Sequence, residues 1–139
     1  MANLTTVEIN RLLDLSLGTG GASGSYMAAF TTAPNIPLST GGVEVSGNAY
    51  ARQQVNFAAA SGGSKIPAAD VLFPEATGSW GTVVVGVGIY DSLTSGGTNV
   101  LKWYATLTTP GDPNTPLPKL ISAYDRLVIK SADASFSMS

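Results

Sequence analysis

This sequence predicts an all-β fold, an antiparallel β-sandwich of jelly-roll type with about eight strands and one short N-terminal helix. Three observations carry that reading. From Tyr26 onward, short apolar or alternating runs recur between clusters of Gly, Pro, Asn and Asp. No second helical pattern lies between them, so the crossover helices of a parallel sheet are missing. A length of 139 residues suits one domain with a single core.

The helix is predicted over Thr6 to Leu17. Thr5 with Glu8 three residues on reads as a capping box, Ile9, Leu12 and Leu13 share one face, and Gly18 stops the turn. The glycine-rich run Gly18 to Ser25 then reads as a flexible linker. The chain is accordingly divided into an arm, residues 1–25, and a β-sandwich domain, residues 26–139. The apolar face of Ile9, Leu12 and Leu13 is expected to reach outward to a neighbouring subunit, the alternative being that the helix caps the open end of its own sandwich.

Strands are expected at Tyr26 to Thr31, Gly42 to Val45, Arg52 to Phe57, Asp70 to Phe73, Val83 to Tyr90, Val100 to Leu107, Arg126 to Ile129 and Ala134 to Met138. Val55 and Phe57 alternate with Gln54 and Asn56, and Phe136 and Met138 alternate with serines, so both strands should have one wet face. Val83 to Tyr90 reads as buried on both sides. The serine-rich end has few charges to guard an edge, and an unguarded edge is a pairing surface.

Composition excludes more than it selects. With Cys 0 and His 0 there is no thiolate or imidazole, which removes structural zinc, haem, iron-sulfur clusters, thiol nucleophiles and histidine acid-base chemistry. A formal charge of −2 offers no basic footprint for a phosphate backbone, so nucleic acid is not an expected partner. The longest later apolar run, Val83 to Tyr90, suits a buried strand and is far too short for a bilayer. Charged residues make up only 12% of the chain, about half the usual quarter, and so neutral a surface favours association.

Few residues are placed to carry chemistry. Gly18, Gly20 and Gly24 follow a helix and miss the spacing of a dinucleotide loop, so no cofactor is expected. No pair of acids stands two apart as a calcium loop requires, and no metal site is expected. The acids border turns, as in Tyr90-Asp91-Ser92 and Ala123-Tyr124-Asp125, where a carboxylate bonds nearby backbone, so no catalytic residue is assigned. Trp80, Trp103, Tyr90, Tyr104 and Tyr124 offer a carbohydrate platform, against which stands core packing. Trp103 and Tyr104 are adjacent in one strand and point to opposite faces, so one of them should reach a surface or a partner. Arg52 is expected to pair with a carboxylate such as Glu44 while its stem covers apolar surface.

The stretch from Gly42 to Phe57, GVEVSGNAYARQQVNF, resembles the EVSGxxYARQxVxF signature of a family of small tailed-bacteriophage virion proteins usually labelled tail fibre or minor structural proteins. Tyr26 to Pro34, Phe73 to Thr82 with Gly88 to Asp91, and Leu101 to Pro110 are similar to the same family in the same order. Pro113, Pro116 and Pro118 crowd a loop that the family keeps shorter and richer in glycine. The resemblance implies a non-enzymatic β-sandwich protein at the particle surface that contacts other virion proteins, either the major capsid protein or tail proteins. Capsid decoration, as a cement across shell subunits, ranks above a tail or fibre-base role, because 139 residues leave no room for a repetitive shaft. A homo-oligomer, a trimer at family level, is expected, and a host-surface glycan module is the rival reading.

Overall fold

The computed structural model describes residues 4–18, 24–35, 41–93 and 100–137. The first element is helix α1, Thr6–Leu17. Thr5 caps it by accepting from the Glu8 N–H at 3.2 Å, but the Glu8 side chain turns to Arg11 instead of closing the box. Gly18 ends it with φ 79°, donating its N–H to the Asp14 carbonyl at 2.9 Å.

Among the described residues eleven strands follow: β1 Tyr26–Thr32, β2 Val43–Glu44, β3 Gln53–Gln54, β4 Ser64–Lys65, β5 Val71–Leu72, β6 Gly86–Tyr90, β7 Leu101–Thr106, β8 Thr108–Thr109, β9 Asp112–Pro116, β10 Val128–Ile129 and β11 Phe136–Ser137. All named pairings are antiparallel. The all-β reading with one short N-terminal helix therefore holds. A five-stranded sheet runs β2-β1-β6-β7, with β3 on the same edge of β1 as β2 but at its other end. The remaining strands among the described residues form three two-stranded ribbons, β10-β5, β11-β4 and β8-β9, beside single bridges such as Phe57↔Pro67 and Val84↔Lys119. Gly and Pro punctuate these segments too often for long ladders.

Alternation sends the two faces of β1 into different environments. Met27 and Ala29 enter the main core with Val87 and Ile89 of β6, Phe57, Phe73, Trp80, Leu127 and Phe136. Ala28 and Phe30 join Leu101, Tyr90 and Tyr104 on the other face. A bulge where Ile89 and Tyr90 oppose Trp103 and Leu101 breaks the alternation of β7, so Trp103 faces the main core while Leu101 faces Phe30.

The position of α1 corrects the expectation of an outward arm. Leu13 and Leu17 are fully buried in the main core, and Ile9 packs half-buried against it. Burial of each leucine is worth about 1.5–3 kcal/mol, which a marginal three-turn helix cannot forgo. Polar contacts fix the pose: Asn10 Oδ1 accepts from the Gly63 N–H at 2.9 Å, and Asp14 Oδ1 accepts from the Ala60 N–H at 2.9 Å and the Lys65 ammonium at 2.5 Å. At the C-terminal end Lys102 donates to the Ser16 carbonyl at 2.7 Å and the Trp103 indole donates to Ser16 Oγ at 3.0 Å. Helix and β-body share one core. Most of the linker expected between them, and Met138 of the expected last strand, lie outside the described residues.

Candidate interaction site

The outer face of the five-stranded sheet carries Phe30, Leu101, Tyr90 and Tyr104. Its floor is Phe30, and two glycines of β6 make the room. A Cβ at Gly88 would stand 2.8 Å from Phe30 Cε2 and 2.7 Å from Leu101 Cδ1. One at Gly86 would collide with the Tyr104 hydroxyl and stand 2.6 Å from the Ala105 carbonyl oxygen. Only glycine lets these rings lie against the strand. Phe30 stacks with Tyr90 at 6.1 Å between centroids and meets Tyr104 edge-on at 5.6 Å.

Over this floor lies a fixed ion pair. Arg52 donates Nε to Glu44 Oε2 at 2.8 Å and Nη2 to Oε1 at 2.7 Å, a two-pronged contact that only a planar guanidinium makes. Its Nη1 donates to the Ser92 carbonyl at 2.9 Å, and its Cζ sits 3.8 Å above the Tyr90 ring. The Arg52 side chain is 3% exposed and that of Glu44 16%. The Tyr50 hydroxyl donates to Glu44 Oε2 at 2.6 Å while accepting from the Ala29 N–H at 3.0 Å. Burial, then the bond to Glu44, pushes the Tyr50 phenol far above its ordinary range. Burial lowers and Glu44 raises the Arg52 value, with a net rise, so the guanidinium stays charged. Tyr90 is raised by burial first and Glu44 second. With both phenols pushed further from deprotonation and the guanidinium held charged, the role of the cluster is positional.

The pairing of Arg52 with Glu44 matches the sequence expectation, and Tyr50 adds a third member that no strand period announces: its ring packs against Phe73 and Trp80 of the main core and only its hydroxyl reaches Glu44. The other expected interaction residues are distributed differently. Ile9, Leu13 and Trp103 belong to the main core, and Leu12 is half-buried on the flank of α1. Trp103 and Tyr104 do point to opposite faces, yet both are half-buried, Trp103 against the main core and Tyr104 against Phe30 and Gly86 of its own sheet. Trp80 is a core residue whose indole donates to the Asn48 carbonyl at 3.1 Å. Tyr124, at φ 72° and 83% exposed, is the aromatic that stands free of the body.

Several acids do what turn residues do: Asp91 accepts from the Val100 N–H at 2.7 Å, Asp112 from Asn114 at 3.1 Å, and Asp125 from Ser122 at 2.9 Å. Among the described residues no three His, Cys, Asp or Glu gather as metal ligands, and no helix is long and apolar enough to cross a membrane.

A family model described as podophage GP4 fiber I protein gp80 matches residues 3–116. The chain belongs to that family. No curated protein and no solved structure matches it. As a gp80-family member the protein is a structural component of the phage virion, in line with the resemblance read from the sequence. The matched segment runs from α1 to the end of β9 and contains Phe30, Glu44, Tyr50, Arg52, Gly86, Gly88, Tyr90 and Tyr104, whereas Tyr124, β10 and β11 fall beyond it.

Proposed function

We propose that the protein is a non-enzymatic component of a fibre or fibre base, held in the particle by packing the Tyr90–Tyr104 face of its sheet on a neighbouring virion subunit. The observation that carries this reading is the fibre-family match across residues 3–116, a segment that contains the whole Glu44–Arg52 cluster. A rigid, half-buried aromatic face around a fully engaged arginine is the composition that interfaces concentrate, and it loses little side-chain entropy on docking. Arg52 and Tyr104 belong to that contact, and Trp103 supports β7 from behind. Assembly as a closed ring, a trimer, would use the edge strand β7, which has one partner strand among the described residues.

Antibody labelling of intact particles, followed by cryo-EM, tests the placement. Label at tail appendages is expected. An even distribution over the shell would overturn it in favour of capsid decoration, the role that a small, weakly charged body also suits. The exposed ring of Tyr124 favours a second reading, a host-glycan module. Saturable binding of the purified protein on a glycan array that is lost in Tyr124→Ala would support it.

A further inference from the structure

The outward face of α1 carries apolar side chains that its own body leaves uncovered. Leu4 is 50% exposed, Val7 79% and Leu15 69%, while Leu13 and Leu17 on the opposite side are fully buried. Glu8, Arg11 and Leu15 follow the three-and-four spacing of a single helical face, and Leu4 immediately precedes the cap. Between the apolar ends, Arg11 binds both carboxylate oxygens of Glu8, at 2.8 and 2.5 Å, with both side chains open to solvent.

The order along this face is apolar, acidic, basic, apolar. Turned end for end it becomes apolar, basic, acidic, apolar. A second α1 laid antiparallel therefore meets the first with Leu4 against Leu15 and Glu8 against Arg11, in both halves of the contact. A parallel copy would set Glu8 against Glu8 and Arg11 against Arg11, which repels. We propose that the outer face of α1 is a homotypic docking surface, pairing antiparallel with α1 of a second copy about a two-fold axis level with Ile9 and Asn10. The helix stays on its own body while it pairs, because the two contacts use opposite faces. Two helices of three turns bury on the order of a few hundred Å², well below the roughly 1,200 Å² of a stable dimer. The contact is thus weak in dilute solution and takes effect where an assembly holds copies close together.

The cysteine-free chain makes the register directly readable. An equimolar mixture of full-length Leu4→Cys and Leu15→Cys, oxidised at high protein concentration, should form the mixed disulfide several-fold faster than either variant forms its own. Equal rates in all three samples would overturn the proposal. Independently, sedimentation velocity at increasing concentration should show Glu8→Arg and Arg11→Glu each raising the dissociation constant about tenfold, with melting temperatures unchanged. Mixing the two variants should restore association, because every facing pair is again opposite in charge. Single reversals that associate like the parent, or a mixture that stays monomeric, would overturn it.

Discussion

Two buried cations hold this molecule in different ways. Arg52 lies within the sheet face and joins β2 to the segment before β3 through a planar fork on Glu44, a carbonyl and an aromatic ring. Lys65 lies under the helix, its side chain fully buried, with its ammonium on Asp14 at 2.5 Å and on the Ala58 carbonyl at 2.7 Å. The partners differ in exposure: Glu44 is 16% open and Asp14 38%. The arginine site is a closed network whose members fix each other, whereas the lysine site is a point charge under a carboxylate that still sees water. Geometry governs the first and neutralisation governs the second.

The severest way to break the lysine site is to delete residues 1–20. That removes Leu13, Leu17 and Asp14 together, and the loss should exceed about 5 kcal/mol, comparable with the whole stability of a small domain. Circular dichroism should find no cooperative transition near the parent melting temperature. Next comes Asp14→Ala, which leaves the Lys65 ammonium buried without its carboxylate and should cost about 3–5 kcal/mol by urea denaturation. Arg52→Lys keeps the charge but gives up the fork and the stacking, at about 1.5–3 kcal/mol, and a melting curve unchanged from the parent would refute the role of geometry. Lys65→Met should be milder, about 1–2 kcal/mol, because the freed Asp14 carboxylate is partly hydrated and still accepts from Ala60. Should Lys65→Met cost more than Asp14→Ala, the proposed asymmetry is wrong.

The smallest effect lies outside both sites. The Ser131 N–H holds the Asp70 carboxyl below its ordinary value against the opposing effect of desolvation, with Lys130 adding to the lowering. A group lowered on folding adds stability above its unfolded pKa and loses it as pH falls through the folded one. Asp70→Asn should therefore flatten the acid limb of a stability–pH curve slightly below about pH 4. An acid limb identical to the parent's would show that Asp70 is not linked to folding.

Legibility in the sequence followed strand length. β1, β6 and β7 are long enough to stand out as apolar runs, whereas the expected strand Arg52 to Phe57 keeps only Gln53–Gln54 as β3, although Gln54 and Asn56 do stay exposed beside buried Val55 and Phe57. β4, at two residues, has no period to detect, and Lys65 between Ser64 and Ile66 looks like any surface lysine. The hairpin β8-β9 was missed because Pro113 and Pro116 argue against a strand, a rule that an edge position relaxes. Arg52 was legible because a carboxylate stood close by in sequence, whereas the partner of Lys65 lies 51 residues away. The amphipathic helix was evident, but its destination was not: Leu13 seeks any apolar surface, and the sequence does not say whose.

The seating of the terminal elements has a mechanical consequence. Both α1 and β11 dock on β4, the helix through Asp14 and Lys65 and the strand through the Phe136↔Lys65 pairing, and the Phe136 ring meets Trp103 and Phe57 edge-on. Tension applied between residues near the two ends of the described chain therefore loads the contacts around β4 first, the Asn10 and Asp14 bonds of α1 and the two-residue β11 ladder, before it reaches the Ser16 bonds to β7. Those contacts should yield at low force, so the protein would lengthen under strain with the aromatic face of its sheet intact.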